Sequence, residues 1–309
     1  MSWQARLLNH WLRLTEKRHL ARVLDPRALR RSFEIKARMF FLAPFGTRTT
    51  WQTLGVGRAL AVTPTGAGAG PTILYFHGGG YVFGSPRTHS AMLATLARHA
   101  GATAILPEYP LAPEAPYPAA LDRATEAYYA CLAQGADPTQ LILGGDSAGG
   151  GLVLALLARL VTEKAALPAG VFAFSPLADM RFGGESFATN AQTDVVLPAQ
   201  RAAEMSAFYL AGHSPDDPGV SPLNADFHGA PPVWLIVGST EILLDDSTRM
   251  AAHLKAQGVP VTLTIENDLP HVWPIFHNVL PEARATLTTL ARWIRTHSQD
   301  QAKAITVTR

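Results

Sequence analysis

Two short segments of this chain carry residue types and spacings suited to nucleophilic chemistry. The first is Gly145-Asp146-Ser147-Ala148-Gly149. A serine with glycines two residues before and two after it suits a tight, strained turn, because the missing Cβ atoms let neighbouring backbone close in. Chance supplies a G-x-S-x-G about 0.1 times in a chain of this composition. Here it follows a short apolar run and opens a helix-like one, the context of a nucleophile elbow. The second segment is His77-Gly78-Gly79-Gly80, with a chance expectation below about 0.01. Adjacent glycines leave N–H groups uncovered and able to converge on one atom. In acyl transfer that atom is the oxyanion of a tetrahedral intermediate. A phosphate loop would need G-x-x-x-x-G-K-[ST], and no such lysine follows the glycines.

With Glu108-Tyr109-Pro110-Leu111-Ala112-Pro113-Glu114 between them, the two motifs resemble those of the bacterial hormone-sensitive-lipase-like esterases of the α/β-hydrolase superfamily. The resemblance runs from about residue 70 to residue 277 in consistent order, and the N-terminal helices resemble the cap of these enzymes. The family usually has Asp-Tyr-Arg-Leu-Ala-Pro-Glu, where this chain has Glu108 and Pro110. Neither position supplies a nucleophile, so the departures bear on local structure.

An elbow serine needs a base, and in this superfamily the chain order is nucleophile, acid, histidine. Only His271, His277 and His297 follow the last expected strand, Val261–Ile265. His271, between Pro270 and Pro274, lies on the loop just after it, where the family's histidine falls; His277 is the alternative. Three carboxylates follow the strand Val233–Val237, namely Glu241, Asp245 and Asp246. The family pattern Asp-Pro-Leu-x-Asp, registered on Glu241-Ile242-Leu243-Leu244-Asp245, implies Glu241 as the acid. Asp245 is the alternative, and its structural reading is a helix N-cap.

The resemblance implies further roles. Gly78, Gly79 and Ala148 would supply oxyanion N–H groups, and His77 would hold the loop in shape beside Gly80. Glu114 would brace the oxyanion loop and the elbow, and Asp146 would be structural. Tyr81, Phe83 and Trp273 are candidates for the pocket wall, although aromatics more often fill a core.

These residues need elements to hold them. Apolar residues recur at helical spacing from Ser2 to about Phe41, and Pro26 can open a second helix. Residues 50–63 alternate as strands do, and Gly66–Pro71 reads as a turn. Beyond it, strands are expected at Thr72–Phe76, Thr103–Leu106, Leu141–Leu143, Val171–Phe174, Val233–Val237 and Val261–Ile265. Helices are expected at Ala91–His99, Ala119–Leu132, Ala148–Lys164, Ser247–Gln257 and Glu282–Thr296. Strands alternating with helices imply a mostly parallel sheet covered on both faces, the α/β-hydrolase fold. Residues 179–230 exceed a βαβ crossover and contain a helical stretch, Pro198–Leu210. An insertion emerging at strand C-termini can form part of a lid. The expected organisation is a helical cap at 1–46 and a catalytic domain at 47–309 with a cap insertion at about 179–230.

Composition narrows the partners. The chain has 309 residues, is 48% hydrophobic and 16% charged, and its 26 Lys and Arg nearly balance 24 Asp and Glu. That is too apolar for disorder and too balanced for a nucleic-acid groove. The longest apolar stretch, Leu152–Val161, contains Arg159 and is short of the roughly 20 residues that span a bilayer. Basic residues interrupt the N-terminus, unlike a signal peptide. The one cysteine, Cys131, excludes an intramolecular disulfide and suits a reducing cytoplasm.

Together these features imply a cofactor-free, metal-free serine carboxylesterase with a Ser147-His271-Glu241 triad and a small-molecule ester substrate. By resemblance the acyl chain is short or medium, and a homodimer is compatible with the family. The alternatives are a lactone or amide hydrolase with the same triad, or a non-catalytic ligand-binding member of the fold.

Overall fold

In a computed structural model of the protein, described over residues 1–66 and 70–307, three helices precede the first strand: α1 (Trp3–Leu14), α2 (Glu16–Arg22) and α3 (Pro26–Phe40). The sequence implies two. The extra boundary falls at Thr15, which closes α1 by donating to Trp11 O at 2.9 Å and also precedes the first residue of α2. Asp25 caps α3 by accepting from the Arg27 N–H, with Pro26 at its first position.

A hairpin follows, β1 (Arg48–Leu54) and β2 (Gly57–Thr63), antiparallel to each other. The glycine-rich turn read beyond it extends over residues 67–69, which lie outside the described residues. The chain then runs β3 (Thr72–Phe76), α4 (Pro86–Ala100), β4 (Thr103–Pro107), α5 (Ala119–Ala133), β5 (Leu141–Asp146), α6 (Ala148–Thr162) and β6 (Gly170–Phe174). Two helices lie in the excursion between β6 and the next strand, α7 (Ser186–Thr189) and α8 (Ala199–Leu210). The fold ends with β7 (Val233–Gly238), α9 (Leu244–Ala256), β8 (Val261–Glu266) and α10 (Pro281–Val307).

The eight strands form one sheet in the order β1-β2-β4-β3-β5-β6-β7-β8. The β1–β2 and β2–β4 pairs are antiparallel and all others parallel. Alternate residues of one strand point to opposite faces. Leu74 and Phe76 join an apolar cluster with α5, α6 and α9, whereas Ile73 and Tyr75 join another with α4 and α10. The result is a three-layer α/β/α arrangement with a core on each face of the sheet.

Several elements are longer than the sequence reading made them, among them α10, which runs from Pro281 to Val307 rather than Glu282 to Thr296. β5 continues through Gly144 and Gly145 to Asp146, because these weak strand formers pair with Phe172 and Ala173 of β6. α4 begins at Pro86 rather than Ala91, because Ser85 and Thr88 form a reciprocal capping box ahead of its apolar part. Among the described residues, no helix is long and apolar enough to cross a membrane.

Candidate active site

Ser147 sits where β5 turns into α6, with φ 53° and ψ −122°. A non-glycine residue held at positive φ is strained and persists only where its surroundings enforce it. Here the Ser147 N–H donates to Phe174 O at 2.8 Å, while Ser147 O accepts from the N–H groups of Gly151 and Leu177. The flanking glycines are steric necessities. A Cβ on Gly145 would stand 2.2 Å from Gly149 O, and one on Gly149 would stand 2.1 Å from Phe76 O. The motif spacing therefore answers to backbone packing on both sides of the serine.

His271 follows β8 and is buried, and Glu241, also buried, follows β7. Nδ1 of His271 lies 2.5 Å from Glu241 Oε2. The other carboxylate oxygen, Oε1, accepts from the Gly238 N–H at 2.6 Å and from Ser175 Oγ at 2.8 Å. With every carboxylate contact a donor, Glu241 presents its charge to the ring in a fixed orientation. Burial opposes protonation of His271, but the charge and hydrogen bond of Glu241, helped by Asp194 and Asp146, outweigh it. The imidazole therefore titrates above its ordinary value.

The other carboxylates read from sequence point elsewhere. Asp245 Oδ2 accepts from the Ser186 N–H at 2.8 Å, and the Asp245 N–H donates to Ser186 Oγ at 2.9 Å. Asp246 is buried and accepts from the N–H groups of Ala178 and Asp179. The rival histidine, His277, is spaced from main-chain oxygens of Ile275 and Leu42 by 3.2 Å on each ring nitrogen.

The glycine run lies beside the elbow, with one change from the sequence reading. The Gly78 N–H donates to Asp146 Oδ1 at 3.0 Å, so this amide is already committed within the chain. Among the described residues, the amides of Gly79, Gly80 and Ala148 make no hydrogen bond. Asp146 also accepts from Tyr75 Oη at 2.7 Å and lies 3.4 Å from His89 Nε2. Burial disfavours its charge, but His89, Tyr75 and His77 more than compensate, and its pKa is below the usual value. His77 stacks on Tyr109 with ring centroids 4.3 Å apart. Burial, with the neighbouring His89, depresses its pKa to about 3, so the ring is neutral and part of the loop's packing.

Glu114 departs further from its expected role. Among the described residues its carboxylate makes no hydrogen bond to the glycine run or the elbow; it accepts from Arg30 Nη1 and Nη2 of α3 at 2.9 and 2.6 Å. These bonds pull its pKa down to about 2. Arg30 in turn donates to Val82 O and Ala112 O, each at 2.8 Å, so Glu114 orients the arginine that ties α3 down.

Ser147, His271, Asp146 and Gly78–Gly80 line one cavity of about 390 Å³. No hydrogen bond joins Ser147 Oγ to the His271 ring among the described residues, and such contacts often tighten only when substrate is bound. The remaining wall is mostly apolar, with Glu16, Lys36, His89, Arg201, Ser206 and Asn278 as its polar members. Leu8, Trp11, Phe33 and Phe40 come from α1 and α3; Met180, Leu197 and Met205 come from the excursion between β6 and β7. Of the aromatics proposed for the wall, Phe83 lines it. Tyr81 is buried against Tyr209, with ring centroids 3.7 Å apart, and Trp273 is buried with Nε1 donating to Thr286 Oγ1.

Three supporting residues escape the sequence reading. Ser175, beyond β6, donates to Glu241 and accepts from the Val272 N–H at 3.3 Å, joining the acid loop to the histidine loop. Asn190 Nδ2 donates to the main-chain oxygens of Ser239 and Glu241 at 3.1 and 2.9 Å. Buried Asp194 accepts from the Ile242 N–H at 3.0 Å through one oxygen and from the N–H groups of Val196 and Leu197 through the other. Each acts across a long sequence separation, so no local pattern marks it.

Comparison with known proteins agrees with this arrangement. Residues 73–275 match the family described as the alpha/beta hydrolase fold. An acetyl-hydrolase from Streptomyces hygroscopicus is 38% identical over 234 residues, covering 76% of this chain and 78% of that one. An esterase from Acinetobacter venetianus is 37% identical over 228 residues, covering 74% and 75% of the two chains. The crystal structure of an esterase from the bacterial hormone-sensitive lipase family superposes with a TM-score of 0.91 at 37% identity, covering 96% of this chain and 99% of that one. The chain belongs to the α/β-hydrolase fold family, among its bacterial hormone-sensitive-lipase-like esterases.

Proposed function

We propose that the protein hydrolyses carboxylic esters of short to medium acyl chains through Ser147, His271 and Glu241. The carrying observation is that a strained elbow serine and the imidazole of a buried His271–Glu241 pair line the same cavity. Ser147 Oγ attacks the ester carbonyl carbon while its proton passes to His271 Nε2. Glu241 holds the ring with Nδ1–H toward itself and stabilises the imidazolium. The amides of Gly79, Gly80 and Ala148 donate to the oxyanion; loss of one such donor costs about 3 kcal/mol of barrier. Collapse of the tetrahedral intermediate breaks the C–O bond, and His271 returns the proton to the departing alcohol. A water then repeats the sequence on the acyl-enzyme, giving up its proton to His271 and releasing the carboxylic acid and free Ser147.

In this reading residues 1–46 and 179–230 form a two-part cap over the catalytic domain, since both contribute to the cavity wall. A cavity of about 390 Å³ falls at the small end of the roughly 300–1,000 Å³ range of ligand pockets, which supports short or medium chains. The test is hydrolysis of p-nitrophenyl esters from acetate to palmitate. We expect kcat/KM to be highest for short or medium chains and to fall more than about tenfold by palmitate, a difference of about 1.4 kcal/mol. Ser147→Ala should remove turnover by on the order of 10⁶-fold and abolish labelling by a fluorophosphonate probe while the melting temperature changes little. Retained turnover in that variant would reject Ser147 as the nucleophile.

A further inference from the structure

The apolar surface of this protein is unevenly distributed. Among the described residues, eleven of the fifteen exposed large hydrophobic side chains lie in residues 1–45. By helical spacing they form faces: Trp3, Leu7, Trp11 and Leu14 share one side of α1, with Arg6 between them. On α3, Ile35 and Met39 are exposed together with Arg31 and Arg38. The two faces meet where Trp11 and Phe40 pack edge-on with ring centroids 5.7 Å apart. Both of these rings are partly exposed and both also line the active-site cavity, so the patch continues into its mouth.

Charge follows the same division. Residues 1–46 hold ten Lys and Arg against three Asp and Glu, whereas the whole chain holds 26 against 24. The remainder is therefore acidic, with sixteen against twenty-one. Arg6, Arg18, Arg22, Arg31 and Arg38 form no ion pair among the described residues. Exposed tryptophan and aliphatic side chains interleaved with unpaired arginines suit a helix lying in a lipid interface. An apolar protein partner would leave the arginines without counter-charges, and a soluble anion would leave the aromatics wet. An anionic lipid surface satisfies both.

We propose that the outer face of α1 and α3 docks on anionic lipid and presents the cavity mouth to the interface. Esters dissolved in the lipid then reach Ser147 past Trp11 and Phe40, and the helices lie on the membrane without crossing it. The docking does not depend on the catalytic reading, so Ser147→Ala protein should bind lipid as well as the parent chain does.

The experiment is sedimentation of the full chain with sucrose-loaded vesicles of phosphatidylglycerol or of phosphatidylcholine. It is repeated at about 0.01 M and about 1 M ionic strength, between which the Debye length falls from about 30 Å to about 3 Å. We expect strong partitioning onto phosphatidylglycerol at low salt and at least about tenfold less in the other arms. The double variant Arg31→Gln/Arg38→Gln should weaken partitioning by about 30-fold, from about 1 kcal/mol per basic residue. Trp3→Ser/Leu7→Ser should also release the protein. None of these four residues lines the cavity, so both variants should hydrolyse soluble p-nitrophenyl butyrate as the parent does. Failure to sediment with phosphatidylglycerol, or equal binding to both lipids, would overturn the proposal. A concentration-dependent dimer in light scattering that Trp3→Ser/Leu7→Ser dissolves would equally overturn it, by assigning the face to a second copy.

Discussion

At the scale of single residues, the proposed chemistry turns on the protonation of one ring. His271 must be neutral to accept the Ser147 proton, and its pKa is raised in the folded protein. The sign follows: kcat/KM should fall as pH drops through a value above about 6.5. Glu241→Gln removes the charge that holds the pKa up and leaves the burial that pushes it down. The acid limb of its residual activity should therefore move to lower pH, with turnover reduced by about 10⁴-fold. An unmoved limb would mean that another group sets it. Asp245→Ala, by contrast, should cost little turnover, because that carboxylate is bonded to Ser186; a larger loss than in Glu241→Ala would reverse the assignment of the acid. The serine and the histidine of the proposed chemistry could be picked out in the sequence because an elbow motif and a post-strand histidine leave local marks. The amides proposed for the oxyanion were less so. Only the spatial fact that Asp146 takes the Gly78 N–H separates Gly78 from Gly79 and Gly80.

At the scale of elements, the apolar alternation and helical spacing located nearly every strand and helix, since each buries one face or both in a layered fold. The misses occur where tertiary contacts override composition, as at Gly144–Asp146 of β5 and the polar first turn of α4. The start of α9 shows what sequence alone could not weigh. Asp246 looks like an ordinary helix-start carboxylate, yet it is buried and holds the chain leaving β6 through the N–H groups of Ala178 and Asp179. Burial pushes its pKa up to about 7; those two N–H groups oppose the rise, Asp179's charge adds to it and Arg249 opposes it. A folded-state pKa raised above the ordinary value of about 3.9 means that the folded protein holds the proton more tightly. The stability from this group is complete below about pH 4 and is lost as pH rises through about 7. Both N–H donors meet Oδ2 alone, so the amide oxygen of an asparagine can replace it. Asp246→Asn should therefore gain in melting temperature relative to the parent as pH rises from about 4 to 8, by about 2 °C for each kcal/mol relieved. The same difference at both ends of that range would show that Asp246 does not titrate with folding.

At the scale of the whole molecule, the near-neutral net charge averages a basic N-terminal region with an acidic remainder. The N-terminal helices are basic, their exposed faces carry large apolar side chains interleaved with arginines, and their attachment also differs in kind from the core. α1 buries only Ala5 and Leu12, α3 only Leu29 and Ala37, and α2 nothing. Polar ties hold them instead. Lys17 Nζ donates to Ala191 O at 2.7 Å and to Asp194 O at 2.6 Å, Arg13 reaches Thr193 O, and Asn9 reaches Asp268 O. Arg30 binds the Val82–Glu114 region as described above. A region with few buried apolar contacts opens at a lower free energy than the sheet beneath it. Amide hydrogen exchange in α1–α3 should accordingly outrun that in β5 and α6. Lys17→Met should widen the gap: losing hydrogen bonds from a charged group costs about 1.5–3 kcal/mol, or roughly tenfold or more in the local opening equilibrium. Because Lys17 ties α2 to the loop that holds Asp194, and Asp194 in turn bonds Ile242 beside Glu241, the same variant should also lower kcat for p-nitrophenyl butyrate. Exchange in α1–α3 at the rate of global unfolding, unchanged by Lys17→Met, would show instead that the helices and the sheet open as one unit and that the polar ties add nothing separable.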